Sequence, residues 1–254
     1  MAEINEQKVR QQFADYTRNY NPNDPKIALK IAHTYRVSEL CRQIAESIGL
    51  DEKKQQIAWL TGMLHDIGRF EQIRIYNTFV DSKSVDHAQF GADLLFGNKR
   101  LIEQFIENRD LDDLVETVIR EHNKFRIRED IDDDTTVFCN ILRDADKIDI
   151  FRVNIETPME EIYNCTTEEL ENACVSPEVM AQVRNHQAVT RDVKKTPADF
   201  LVGHLALTFE LVYPCSRKLA FKQGYLDKLF EFPTQNPQTK EYINEVKREI
   251  RSVI

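Results

Sequence analysis

The sequence predicts an all-α protein, and three observations carry that prediction. Apolar residues recur at helical rather than alternating spacing along most of the chain. Only 7 of its 254 residues are glycine and 8 are proline, too few for many short strands joined by tight turns. Helix-opening and helix-closing residues punctuate the apolar segments at helix-sized intervals.

The elements follow in order. Residues 3–20 read as a helix closed by NPNDP. Asp24 is an N-cap with Pro25 at the first helical position, and this second helix runs to about Ile48 and stops at Gly49. Asp51 caps the next helix, which ends at His65–Asp66. Residues 67–83, basic and aromatic in their first half, read as a loop or lid. Helices follow at about 84–96, 99–107, 110–122 (opened by Asp110) and 135–152, the last preceded by the acidic EDIDDD. Helical periodicity continues at 166–174, 177–190, 197–213, 215–231 and 237–253. With no repeat and no low-complexity linker, the reading is one all-α domain over 1–254, its C-terminal third packing on the rest.

Composition narrows the function. Hydrophobic residues make up 41% and charged residues 30%, as in soluble globular proteins. A net charge of −9 argues against a nucleic-acid polymer as partner, because counterion release needs a cationic surface. A small phosphorylated substrate stays compatible, since a local cationic site or a metal can sit in an acidic protein. The five cysteines form no CxxC, which points to reduced thiols and a cytoplasmic location. MAEINEQKVRQQF is too polar for a signal peptide, and FLVGHLALTFELVY is too short and interrupted for a membrane span.

Polar ligands sit on apolar faces. His33 shares a helix face with Val37, Leu40 and Ile44, and His122 closes the stripe Leu111, Val115, Val118. His65 and Asp66 close the run Ile57, Leu60, Met63, Leu64. Leu142, Asp146 and Asp149 follow helical spacing among Phe138, Ile141 and Ala145. A lone buried carboxylate costs several kcal/mol or becomes neutral. Several imidazoles and carboxylates facing one cation avoid that cost, and they suit Zn, Mn, Fe, Co or Ni.

The order His33 … His65-Asp66 … Asp146 resembles the H…HD…D signature of the HD-domain metal-dependent phosphohydrolase superfamily. LHDIGRF is similar to its HDIGK-type segment, and DADKID to its closing helix, where the aspartate after alanine is the ligand; this selects Asp146 over Asp144. The resemblance spans about residues 25–155, leaving a helical extension over about 160–254. It implies an HD-domain helical bundle with additional C-terminal helices. His87 and His122 fall where two-metal members, the HD-GYP phosphodiesterases and the bacterial dinucleoside tetraphosphatases, place extra ligands. The resemblance thus implies a binuclear centre of Fe, Mn, Zn or Ni, with Mg also compatible. His33, His65, Asp66 and Asp146 would hold one ion, Asp66 would bridge, and His87 and His122 would complete the second. No GYP follows His122, where the chain reads NKFRIRED, so cyclic di-GMP is not the expected substrate.

The implied activity is hydrolysis of a phosphomonoester or phosphodiester of a nucleotide or similar small molecule, with a metal-activated hydroxide attacking phosphorus. Asp66 and Arg69 are the expected catalytic pair. Arg69, Lys147 and Asp149 are the expected substrate contacts, Arg69 because a guanidinium can grip phosphate bidentately. A non-catalytic module that senses a nucleotide through the same metal site is the competing reading. The C-terminal third is open to two uses, covering the site or building a homo-oligomer.

Overall fold

The computed structural model describes residues 4–253, and among them there is no β-strand. The helices are α1 (Glu6–Thr17), α2 (Pro25–Ser47), α3 (Glu52–Leu64), α4 (Ile67–Tyr76), α5 (His87–Phe96), α6 (Ile102–Phe105), α7 (Asp112–Glu121) and α8 (Asp133–Glu156). They continue as α9 (Met159–Tyr163), α10 (Thr167–Asn172), α11 (Pro177–Arg184), α12 (Pro197–Leu205), α13 (Pro214–Lys222), α14 (Tyr225–Phe230) and α15 (Pro237–Ser252). The chain divides into two compact units, the first ending at Ala145 and the second beginning at Asp146, within α8. None of these helices is long and apolar enough to cross a membrane.

In the first unit the caps stand where the sequence puts them. Asp24 and Asp51 accept the Lys26 and Lys54 amides and open α2 and α3. The apolar stripes of α2 and α3 face each other at Gly62, where a Cβ would lie 2.6 Å from Ser38 Cα. Only glycine admits that approach, and it sets the middle of α2 close to the end of α3.

Residues 67–76, expected as a loop or lid, are helix α4. Its buried face, Ile67, Phe70 and Ile73, has helical spacing, and Phe70 packs against the rings of Phe13, Tyr16 and Tyr20. Gly68 does not end a helix. It lies inside α4, where a Cβ would meet the His87 carbonyl oxygen at 2.5 Å and the Gly91 nitrogen at 2.7 Å. The smaller residue is there to dock α4 on α5. The helix expected to open at Asp110 begins at Asp112, after a 3-10 turn that Asn108 caps.

The second unit packs α11, α12 and α15 through Val179, Val183, Leu201, Leu205, Ile243 and Val246, all buried. Its buried carboxylate, Asp199, accepts from the amides of Ser176, Lys195 and Thr196 and from the Ser176 hydroxyl. That full set of donors gives it a structural role. The helix expected over 215–231 breaks into α13 and α14 at Gly224, whose φ of 75° is left-handed.

Candidate metal centre

The site grows from a two-residue interruption between α3 and α4. His65 is the C-cap of α3, and Asp66 leaves helical geometry at φ −103° and ψ 16° before α4 restarts at Ile67. Adjacent residues in a continuous helix point about 100° apart. The break removes that restriction. Asp66 also makes no capping hydrogen bond to α4, so its carboxylate is left for the site.

The same local device aims two of the histidines. His65 Nδ1–H donates to the Gly62 carbonyl at 2.8 Å, and His122, the C-cap of α7, donates to the Ile119 carbonyl at 2.7 Å. Each ring is held against a carbonyl in the last turn of its helix and turns Nε2 inward. His87, the first residue of α5, donates Nδ1–H to Asp81 Oδ2 at 2.6 Å, which fixes its Nε2 in the same way. His33 comes from α2 and is buried.

These rings meet around one carboxylate. Oδ2 of Asp66 stands 3.6 Å from His33 Nε2 and 3.5 Å from His65 Nε2. Oδ1 stands 3.6 Å from His87 Nε2 and 3.9 Å from His122 Nε2. Each oxygen thus serves its own imidazole pair. The paired nitrogens are 3.3 Å apart for His33 and His65, and 3.0 Å apart for His87 and His122. Two nitrogens bound to one ion at about 2.1 Å stand about 3.0–3.4 Å apart in right-angled or tetrahedral geometry. In the His87–His122 pair both Nδ1 protons are already used, so the facing Nε2 atoms present lone pairs that repel unless a cation lies between them. The donors therefore suit a divalent transition metal at two positions, His33–His65–Asp66 and Asp66–His87–His122.

Electrostatics keep the donors in ligand form. Burial alone would raise the Asp66 carboxyl, but Lys30, followed by His65, Arg69 and His87, holds it well below the usual carboxylate range. Lys30 Nζ lies 2.6 Å from Oδ2, and Arg69 Nε lies 3.6 Å from Oδ1. Burial, then the nearby Arg69 charge, pushes the His87 imidazole down to about 4, so it is neutral at neutral pH.

A family model for the HD domain matches residues 31–150. That segment is an HD domain. Over 49 residues the chain is 39% identical to the 3'3'-cGAMP-specific phosphodiesterase 1 of Vibrio cholerae serotype O1, covering 19% of this chain and 11% of that relative. The chain thus spans about 11% of the length of the relative it matches. No solved structure matches the chain.

The HD domain holds Arg69 inside a network rather than on the surface. Its Nη1 donates to Gln72 Oε1, the Phe79 carbonyl and Asp81 Oδ1 at 2.7–2.8 Å, while Nε is buried without a hydrogen bond. Two further cations near the site in sequence, Lys124 and Arg74, pair with Asp86 and Glu71. Asp146, Lys147 and Asp149 stand on α8 beyond the division between the units; Asp149 is buried, the other two half-buried. Asp144, not selected in the sequence, is fully buried. Two residues of the site, Lys30 and Asp81, were not singled out. The spacing of Lys30, one turn before His33, was a usable signal; Asp81, in a connection, had none.

Gly68→Ala is expected to disturb this centre without touching a ligand. The added methyl must push α4 from α5 at the His87 carbonyl, at a cost of about 1–3 kcal/mol. Thermal unfolding and metal content should fall together.

Proposed function

We propose that this chain is a metal-dependent phosphohydrolase. Its substrate is a phosphomonoester or phosphodiester of a nucleotide or another small phosphorylated molecule. One observation carries the reading: a single buried carboxylate presents one oxygen to each of two imidazole pairs. Two divalent ions held there would supply Lewis-acid activation of water and of the scissile phosphate. Asp66 would offer one oxygen to each ion, and the carbonyl-anchored His65 and His122 would need no reorganisation to offer Nε2. Lys30 and Arg69 place two cations beside the carboxylate, with the Phe79 ring within 5.4 Å and 5.6 Å of them. They draw a phosphate toward the centre in spite of the chain's net charge of −9. Lys147 and Asp149 as substrate contacts enter on the sequence alone, and Asp146 as a ligand on the sequence resemblance.

The nucleotide preference is supported by the name of the Vibrio relative, which acts on a cyclic dinucleotide. The test is a panel of nucleotide monoesters, linear and cyclic dinucleotides and polyphosphates, run after loading with Mn, Fe, Zn, Ni or Mg. Hydrolysis of one class, abolished by chelator and restored by metal, is the expected result. Fully loaded protein that binds nucleotides and releases no product across the panel would instead support the non-catalytic regulatory module.

A further inference from the structure

We propose that Asp81 is a positioning residue that sets both His87, a ligand of one ion, and Arg69, the phosphate-side cation, and so couples metal loading to substrate binding. This rests on the reading above. Asp81 lies in the 3-10 turn Asp81–Lys83 that joins α4 to α5. Its two oxygens have separate duties. Oδ2 accepts from His87 Nδ1 at 2.6 Å, while Oδ1 accepts from Arg69 Nη1 at 2.8 Å and Gln72 Nε2 at 2.9 Å.

The connection is fastened around this carboxylate. Gln72 is fully buried on α4, and its amide also donates to Ser84 Oγ at 2.8 Å and the Val85 carbonyl at 3.1 Å. Arg69 Nη1 adds the Phe79 carbonyl at 2.8 Å. The turn is thus held on α4 at Phe79, Asp81, Ser84 and Val85, which leaves Asp81 little freedom to rotate. With both oxygens committed, Asp81 acts through its neighbours rather than as a ligand, although it lies close enough to His87 and Asp86 to form a third group of possible metal ligands. Asp86 is also committed, to the amides of Ala88 and Gln89 and to Asn123 and Lys124.

A carboxylate behind a ligating imidazole fixes the ring and raises its basicity, and its loss typically weakens metal binding 10- to 100-fold. Here the same carboxylate anchors a guanidinium. An amide cannot serve both partners. If its oxygen faces His87, its NH2 faces the Arg69 cation, and the reverse placement sets NH2 against Nδ1–H.

The experiment titrates metal-stripped wild type, Asp81→Asn and Asp81→Ala with Mn2+ alone, then measures inorganic phosphate binding to each loaded protein. The His87 Nδ1–H resonance by NMR and thermal unfolding accompany both. Wild type should bind two ions. The variants should bind one of them about 10- to 100-fold more weakly and the other within about 3-fold of wild type. Phosphate should bind more weakly, and the protected Nδ1–H signal should disappear. Equal weakening of both ions, or no change in either, would overturn the positioning role while leaving the hydrolase reading intact. Three ions in wild type and two in the variants would make Asp81 a ligand and overturn it too. Wild type that takes up neither Mn2+ nor Fe2+, Zn2+, Ni2+ or Mg2+ in the same titration would overturn the hydrolase reading, and this inference with it.

Discussion

Replacing Asp66 by alanine is expected to empty both metal positions at once and to lower turnover by about 10^3-fold or more. The geometry makes the effect larger than that of any single histidine. His33 and His65 share only Oδ2, and His87 and His122 share only Oδ1, so each histidine change leaves one set of donors intact. Asp66→Ala removes the one group common to both. Several kcal/mol of transition-state stabilisation pass through the ions, and each 1.4 kcal/mol is a factor of ten in rate. Metal content by elemental analysis should fall from two ions per chain toward none, whereas His122→Ala should retain one. The change also leaves the Lys30 ammonium without its 2.6 Å partner, so thermal unfolding must be recorded beside the rates.

The second large effect is on stability. Chelated protein should lose about 3 kcal/mol as the pH falls from about 6.5 to about 4. His87 carries this loss: its pKa is pushed down to about 4 in the fold, against an ordinary value of 6.5. Between those values the unfolded chain takes up a proton that the folded chain refuses, so stability falls with falling pH. Asp66 does not contribute in this window. Its carboxyl is held below the usual range, and its stabilisation is lost only as the pH drops further, through the folded value. His204, pushed down to about 3 by burial and then by Lys194, adds a similar slope to the second unit. The two are separable because Trp59, the single tryptophan, is buried in the first unit. Denaturant unfolding of chelated protein at pH 7 and pH 5, followed by tryptophan fluorescence, should show the difference. His87→Gln should flatten it.

What the sequence made legible follows from what leaves a periodic trace. His33 and His122 stood out because an imidazole interrupts a stripe that is otherwise Val, Leu and Ile. The His65–Asp66 pair stood out because it closes a run whose every member is buried. Helix α4 was missed for an opposite reason. Its stretch of chain is basic and aromatic and its second residue is glycine, so it read as a break. The demand for glycine came from the neighbouring backbone of α5, which no local pattern records. Asp81 was invisible in the same sense: its partners are six residues ahead and twelve and nine behind, on two different helices. Lys30 could have been found, because it lies three residues before His33 on the same helical face.

The central claim is that one carboxylate joins two cations. Electron paramagnetic resonance of the protein loaded with two equivalents of Mn2+ tests it most directly. A bridging Asp66 predicts a magnetically coupled manganese pair that collapses to uncoupled signal in Asp66→Ala. Wild-type protein showing only magnetically isolated manganese at full loading would contradict the account.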